Sequence, residues 1–341
     1  MIMLKIIRIL LLIGLLTIAS IAIEAQAAVP KIDVIHAKGV INPVLADYIK
    51  RGIDHAEGSD AVVCIIQLDT PGGLDTSMRD IIKDIVNAQV PVVVYVSPSG
   101  ARAASAGVFI TVAAHVAVMA PNTAIGAAHP VAVGTEGEQQ VSEAMEEKIV
   151  NDAAAYIRSI AGAHGRNMDW AERAVRESVS ATEVEALELN VIDMVAPDLD
   201  GLISQLDGRQ VTMLDGSVVT IYTQGAVVNH IEMSWVEGFL FAISDPNIAY
   251  LLLSLAMLGI MVEIFNPGLI FPGVVGAISL LLAFFSLGVL PVNWAGVLLI
   301  ALAFGLFIAE VLTTTFGLFT AGGVVSLVIG SLILFKGASP L

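Results

Sequence analysis

From Pro246 onward, this chain of 341 residues carries only three charged side chains, Glu263, Glu310 and Lys336. A fold surrounded by water needs far more polar surface, so the segment is expected to have lipid around it. Four apolar stretches fit there, at 247–265, 268–290, 293–312 and 316–335, separated by Pro267-Gly268, by Pro291 and by the threonines 313–315. Each approaches the roughly 20 residues that a bilayer-crossing helix requires. The expectation is a four-span α-helical region over 247–336. A carboxylate inside a bilayer is a functional candidate, but Glu263 and Glu310 each fall near the end of a stretch, which assigns them to the interface.

At the other end, Lys5 and Arg8 precede an uncharged run at 9–23, followed by Ala25-Gln26-Ala27. That is the layout of a secretory signal peptide cut after Ala27, or of an N-terminal anchor over 1–28 if the segment is retained. In both cases the following residues are exported. The chain is expected in the cell membrane, with its middle segment outside the cytoplasm.

Residues 29–245 hold 13 Lys/Arg against 29 Asp/Glu, and with them the whole net charge of −16. Such an acidic body repels nucleic acid and anionic lipid head groups alike. Cys64 is the only cysteine, so no internal disulfide forms. The six histidines show no metal-ligand spacing and no Walker-type glycine loop is present, so neither metal nor cofactor is expected.

Short Val/Ile-rich runs at 32–36, 61–68 and 90–96 alternate with amphipathic stretches at 43–55 and 78–87, the pattern of an α/β domain on a largely parallel sheet. A helix is expected over 108–118, running into a strand near 116–119. Residues 131–140 read as a polar loop and 141–161 as a helix with Met145, Ile149, Ala153, Tyr156 and Ile160 on its apolar face. Ser180 or Thr182 starts a short capped helix, which Asn190 ends in left-handed backbone before a strand at 191–195. A hairpin fits 206–224, and Trp235 reads as an interfacial anchor.

Two turns carry the candidate chemistry. In Gly100-Ala-Arg-Ala-Ala-Ser105-Ala-Gly107 a lone serine follows an apolar strand and has neighbours too small to obstruct it. The first N–H groups of the helix behind it lack intrahelical partners and favour developing negative charge. Upstream, Leu68-Asp-Thr-Pro-Gly-Gly73 closes another strand, and the N–H groups of Gly72 and Gly73 can serve as an oxyanion hole. Two strand-terminal glycine turns 33 residues apart fit adjacent parallel strands whose ends share a cleft.

A serine needs a base. His129, in Gly126-Ala-Ala-His-Pro130, is one candidate; His115 reads as structural. The other is Lys148, the one lysine between Ser105 and the apolar C-terminal region, provided burial keeps it neutral. Its bland reading is a solvated residue paired with Asp152 at i+4.

Thr70-Pro-Gly-Gly73, Ala104-Ser-Ala-Gly107, Pro121-Asn-Thr-Ala-Ile-Gly126 and Ala186-Leu-Glu-Leu-Asn-Val-Ile-Asp193 resemble the Clp protease and signal peptide peptidase A class. The exported domain, multi-pass region and Thr314-Thr-Phe-Gly-Leu318 are similar to the membrane-bound NfeD family, over nearly the whole chain. The resemblance implies a crotonase-like, ClpP-type ββα spiral over 29–232, a linker at 233–246 and the membrane region at 247–336. It implies a Ser105–Lys148 dyad, with the Gly72/Gly73 turn and Ala106 N–H as oxyanion hole. It also implies cleavage of apolar peptide segments in a stomatin- or prohibitin-like membrane partner, by an enzyme that forms a homo-oligomer. Asn190 stands where the class usually has Gly, and long NfeD-type chains run on into a small β-barrel, whereas this sequence stops soon after Lys336. Two other readings stay open: a crotonase-fold acyl-thioester enzyme, which needs no serine nucleophile, and a membrane scaffold with an inactive serine site.

Overall fold

The computed structural model describes residues 29–130, 143–266, 268–286 and 317–334, with part of 298–310. The segment read as signal peptide or anchor, the 131–140 loop and most of the 293–312 stretch lie outside the described residues. The chain divides into two units, Met1–Glu232 and Met233–Leu341.

The first unit is α/β. Its main sheet has six parallel strands in the order β11-β1-β2-β3-β5-β8: β1 is Lys31–Lys38, β2 Val63–Asp69, β3 Val92–Val96, β5 Val116–Met119, β8 Met194–Val195 and β11 Val227–Ile231. Every residue of β3 and β5 is buried, as continuous Val-rich runs are when helices cover both faces of a parallel sheet. Between the strands run α1 (Pro43–Gly58), α2 (Asp75–Asn87), α3 (Ala106–Val112), α4 (Glu143–Ala163), α5 (Met168–Arg176), α6 (Glu183–Glu188) and α7 (Leu199–Leu206). Asn42 caps α1 through Leu45 N–H, with Pro43 pre-set in the first turn. A three-stranded sheet, β4 (Arg102–Ala104), β6 (Ala124–Gly126) and β7 (Ser180–Thr182), borders the glycine turns. The hairpin expected over 206–224 contains the antiparallel pair β9 (Gln210–Thr212) and β10 (Val218–Thr220).

Two expected elements differ, each through a side-chain bond. The helix expected over 108–118 is the shorter α3: the buried Arg166 guanidinium binds the carbonyls of Val112 (2.7 Å) and Ala114 (2.8 Å), closing the helix there. The strand expected at 191–195 shrinks to β8, because the Asp193 carboxylate, rather than backbone, accepts Ala117 N–H at 2.6 Å. Of the two cap candidates, Thr182 starts α6, in a reciprocal capping box with Glu185, while Ser180 belongs to β7. Asn190 ends this segment at φ +56°, its amide bonded to Gly165 O at 2.9 Å.

Arg166 also holds Asp193 at 2.6 Å, and His115 and His164 meet edge to face beside it, their centroids 6.0 Å apart. Burial, then the Arg166 charge, pushes His115 down to about 4. Burial, then Arg166 and His115, does the same to His164. Both are therefore neutral when folded at neutral pH, whereas in the unfolded chain they titrate near ~6.5. As pH falls from there towards 4 the unfolded state takes up protons that the folded state does not, so stability must fall across that window. The expected result is a melting temperature that drops by several degrees over that interval. His164→Phe, which keeps an aromatic ring against His115, should flatten the slope; an unchanged slope would remove the pair as the cause.

In the second unit, Ser234 and Glu237 form a capping box at the start of α8 (Trp235–Ile243), and Trp235 is exposed. Helices α9 (Pro246–Phe265) and α10 (Ile270–Ser286) pack with their backbones nearly touching at Gly259 and Gly276. The Glu263 carboxylate lies against Gly273, where any β-carbon would overlap it. Glu310 accepts the N–H groups of Gly317 (2.8 Å) and Thr320 (3.0 Å) at the start of α11 (Leu318–Leu334). Among the described residues, no helix is long and apolar enough to cross a membrane.

Candidate active site

Strand β2 runs out at Asp69, and Thr70 then forms an isolated parallel bridge to Ala103 of β4. The bonds Thr70 N–H to Arg102 O (2.8 Å) and Ala104 N–H to Thr70 O (3.1 Å) draw the two glycine-rich turns together. The first turn is stitched on its other side to Ile41, which donates to Gly72 O (2.9 Å) and accepts from Leu74 N–H (2.8 Å). Gly72 sits at φ +118°, and a β-carbon there would lie 2.6 Å from Ser105 Cβ and 3.1 Å from its Oγ. The serine hydroxyl is thus packed against bare glycine backbone. Only glycine meets both demands.

Ser105 itself stands at φ +53°, ψ −115°, a conformation that a residue with a β-carbon adopts only when its surroundings impose it. Its N–H is held by Gly126 O of β6 at 3.1 Å, and its carbonyl accepts Val108 N–H at 3.0 Å as α3 begins. The strained residue is half-buried at a strand-to-helix junction. Such strain is what a scaffold stores where one side chain must be aimed.

The expected oxyanion donors are not equivalent. Gly72 N–H is already bonded to Thr70 Oγ1 at 3.0 Å. Gly73 N–H has no hydrogen-bond partner among the described residues, and Ala106 opens α3, where the leading N–H groups lack intrahelical acceptors. The available pair is therefore Gly73 and Ala106. The sequence signals this role of Thr70 only through its place in the T-P-G-G turn.

The two base candidates lie differently. His129 Nδ1 donates to Val175 O at 2.8 Å, fixing the ring to the end of α5, and its Nε2 is 3.9 Å from Glu146. Lys148 lies exposed near the start of α4, with exposed Met145 and Ile149 beside it. The desolvation expected for Lys148 is thus not provided by this chain's described residues. Nor is the pairing with Asp152 found: that carboxylate is bonded to Arg79 of α2 at 2.5 Å. Among the described residues, no cluster of three or more His, Cys, Asp or Glu can hold a metal ion.

A model described as the N-terminal domain of NfeD1b matches residues 31–198, and the NfeD integral membrane domain matches 247–341. Membrane-bound protease PH1510 of Pyrococcus horikoshii is 40% identical over 301 residues, which is 88% of this chain and 68% of that protein. The chain belongs to the NfeD family. Membrane protein NfeD1b of Bacillus subtilis, also similar, is 29% identical over 95% of this chain and 71% of its own. Among solved structures, the 1510-N membrane-bound stomatin-specific protease matches as a lysine-to-alanine variant in complex with a substrate peptide. That match has a TM-score of 0.58 and 35% identity, covering 63% of this chain and 98% of that one. A serine-to-alanine variant of 1510-N matches with a TM-score of 0.55 and 35% identity, over 61% and 100% of the two chains. This NfeD-family chain therefore has the α/β fold of a membrane protease and is a membrane protein.

Proposed function

We propose that this NfeD-family protein is a serine endopeptidase of the membrane, with Ser105 as nucleophile and Lys148 as general base. The observation that carries the reading is the strained Ser105 hydroxyl packed against the Gly72–Gly73 turn. The solved relatives include variants lacking a serine and a lysine, one with substrate peptide bound, which supports the same pair of residue types here. In the reaction, neutral Lys148 takes the Ser105 proton as Oγ attacks the scissile carbonyl carbon. The oxyanion forms against the N–H groups of Gly73 and Ala106. Collapse breaks the C–N bond, with Lys148 returning the proton to the leaving amine. Water, deprotonated by Lys148, then frees the acyl group and restores Ser105.

The fold behind this reading is a crotonase-like spiral over 29–232, joined through 233–246 to a four-span region over 247–336. The exported face of the membrane is where the N-terminal leader, with Lys5 and Arg8 ahead of its uncharged run, would put the catalytic unit. Half-buried Ala104 beside Ser105, and exposed Met145 and Ile149 beside Lys148, offer apolar surface that favours apolar substrate segments. The solved 1510-N membrane protease is specific for a stomatin homologue, and a stomatin-like membrane protein is the partner proposed here. A lysine as exposed as Lys148 still has to be desolvated, by substrate or by a second copy of the chain.

The test uses residues 29–232 alone, which contain both residues of the dyad and both turns. The fragment should fold, react with a serine-directed phosphonate at Ser105, and cut apolar peptides. A folded fragment that neither labels nor cuts, while the full chain does both, would place part of the site in the membrane unit. Absence of labelling in the full chain as well would favour acyl-thioester chemistry or an inactive scaffold.

A further inference from the structure

Helix α2 starts two residues after Gly73, α3 follows Ser105, and α4 carries Lys148. A short chain of side chains that starts at Arg79 joins all three. Arg79 of α2 donates from Nε to Asp75 at 2.8 Å and from Nη2 to Asp152 of α4 at 2.5 Å. Its guanidinium lies over the Tyr156 ring of α4, 4.4 Å from the centroid, and Tyr156 stacks on Phe109 of α3 with centroids 6.2 Å apart. Arginine suits this post: its planar fork serves two carboxylates while its face rests on an aromatic ring, which the point charge of a lysine does not reproduce.

Asp152 lies one helical turn beyond Lys148, at i+4, where a free carboxylate pairs with an ammonium and holds its proton. Other charges around α4 are engaged elsewhere. Glu146 faces His129, Glu172 of α5 is held by Arg158 and Arg176, and Arg176 also bonds Asn151. Asp75 of α2 is itself on Arg79, and α3 carries no ionisable side chain. Glu147, at i−1 from Lys148, does not share its helix face.

We infer that Arg79 is a positioning residue of the site, docking α4 on α2 and taking the Asp152 carboxylate away from Lys148 so that the amine can give up its proton. The inference rests on the Ser105–Lys148 reading, and its test is arranged to fail separately from it. Full-length Arg79→Ala, Arg79→Lys, Asp152→Asn, Lys148→Ala and the Arg79→Ala/Asp152→Asn double variant are assayed for kcat and KM on an apolar peptide across pH.

Arg79→Ala should lower kcat by roughly tenfold or more with little change in KM, as a displaced catalytic group does. It should also move the acidic limb of the profile up by about 0.3 pH unit, the effect of one exposed carboxylate a turn away. Adding Asp152→Asn should return the limb to its parental position without restoring the full rate. Arg79→Lys should keep the limb and lose less rate. A loss equal at every pH, or a limb that Asp152→Asn does not restore, overturns the inference and leaves Arg79 a packing residue. If Arg79→Ala does not fold by near-ultraviolet circular dichroism, Arg79→Met, which keeps an unbranched stem over Tyr156, takes its place in both arms. Lys148→Ala as active as the parent overturns the dyad itself. Lys148→Ala inert beside an unmoved Arg79→Ala limb overturns the Arg79 assignment alone.

Discussion

Ser105→Ala and Lys148→Ala are each expected to bring cleavage down to the background set by the oxyanion donors and binding alone. For residues that act as one unit, that loss is on the order of 10⁴–10⁶ in kcat. The double variant should be no worse than either single one, since removing one partner already removes the step they share. His129→Ala should keep most of the activity. Its Nδ1 is occupied by Val175 O, so its contribution is to hold the end of α5. The reverse pattern, with Lys148→Ala active and His129→Ala inert, would transfer the base role to histidine. Ser105→Gly adds a second readout. Ser105 pays for its φ of +53° and ψ of −115° in backbone strain, so glycine there should raise stability by about 1 kcal/mol over alanine while remaining inactive. Stability gained with function lost is the mark of strain held for a purpose.

Much of the architecture was legible because it depends on local pattern. The uniformly apolar strands β3 and β5 and the amphipathic α1 and α2 announce a covered parallel sheet. Asn190 is readable as a left-handed cap, since few other residues tolerate that backbone. The two turns around Gly72 and Ser105 stand out because small residues gather there. What escaped were the side-chain bonds between residues distant in sequence. Asp152 looked like the partner of Lys148 because the i+4 rule sees one helix, whereas its actual partner, Arg79, is 73 residues away. Arg166 gives no sequence signal that it is buried, yet it ends α3 and binds Asp193. The same limit applies to Gly72: its sequence marks a turn, but only the folded chain shows its N–H given to Thr70. The exposure of Lys148, Met145 and Ile149 runs against their helical spacing, which reads as a face to be covered.

Gly72→Ala should be nearly as damaging as loss of the nucleophile, though it removes no reactive group. Two penalties act at this position. The backbone φ of +118° suits glycine alone, and the added methyl would stand 2.6 Å from Ser105 Cβ and 3.1 Å from Oγ. Relief requires the turn and the serine to part. Because Ile41 stitches the turn on one side and β4 bridges Thr70 on the other, the serine is the part that can yield. A shift of about 1 Å at a reacting atom can cost on the order of 100-fold in rate, and the shift here is expected to cost at least that. The strain and overlap together should lower stability by roughly 2–4 kcal/mol. Gly216→Ala separates the two penalties: Gly216 also has positive φ, +83°, but a β-carbon there meets nothing within 4 Å. That variant should lose about 1 kcal/mol of stability and no activity. The measurements are kcat on an apolar peptide, the rate of phosphonate labelling at Ser105, and thermal melting of both variants beside the parent. If Gly72→Ala cleaves within twofold of the parent, the serine and the glycine turn do not work as one site. If it melts normally yet neither cleaves nor labels, the damage is local to Ser105, as the contact between the two residues requires.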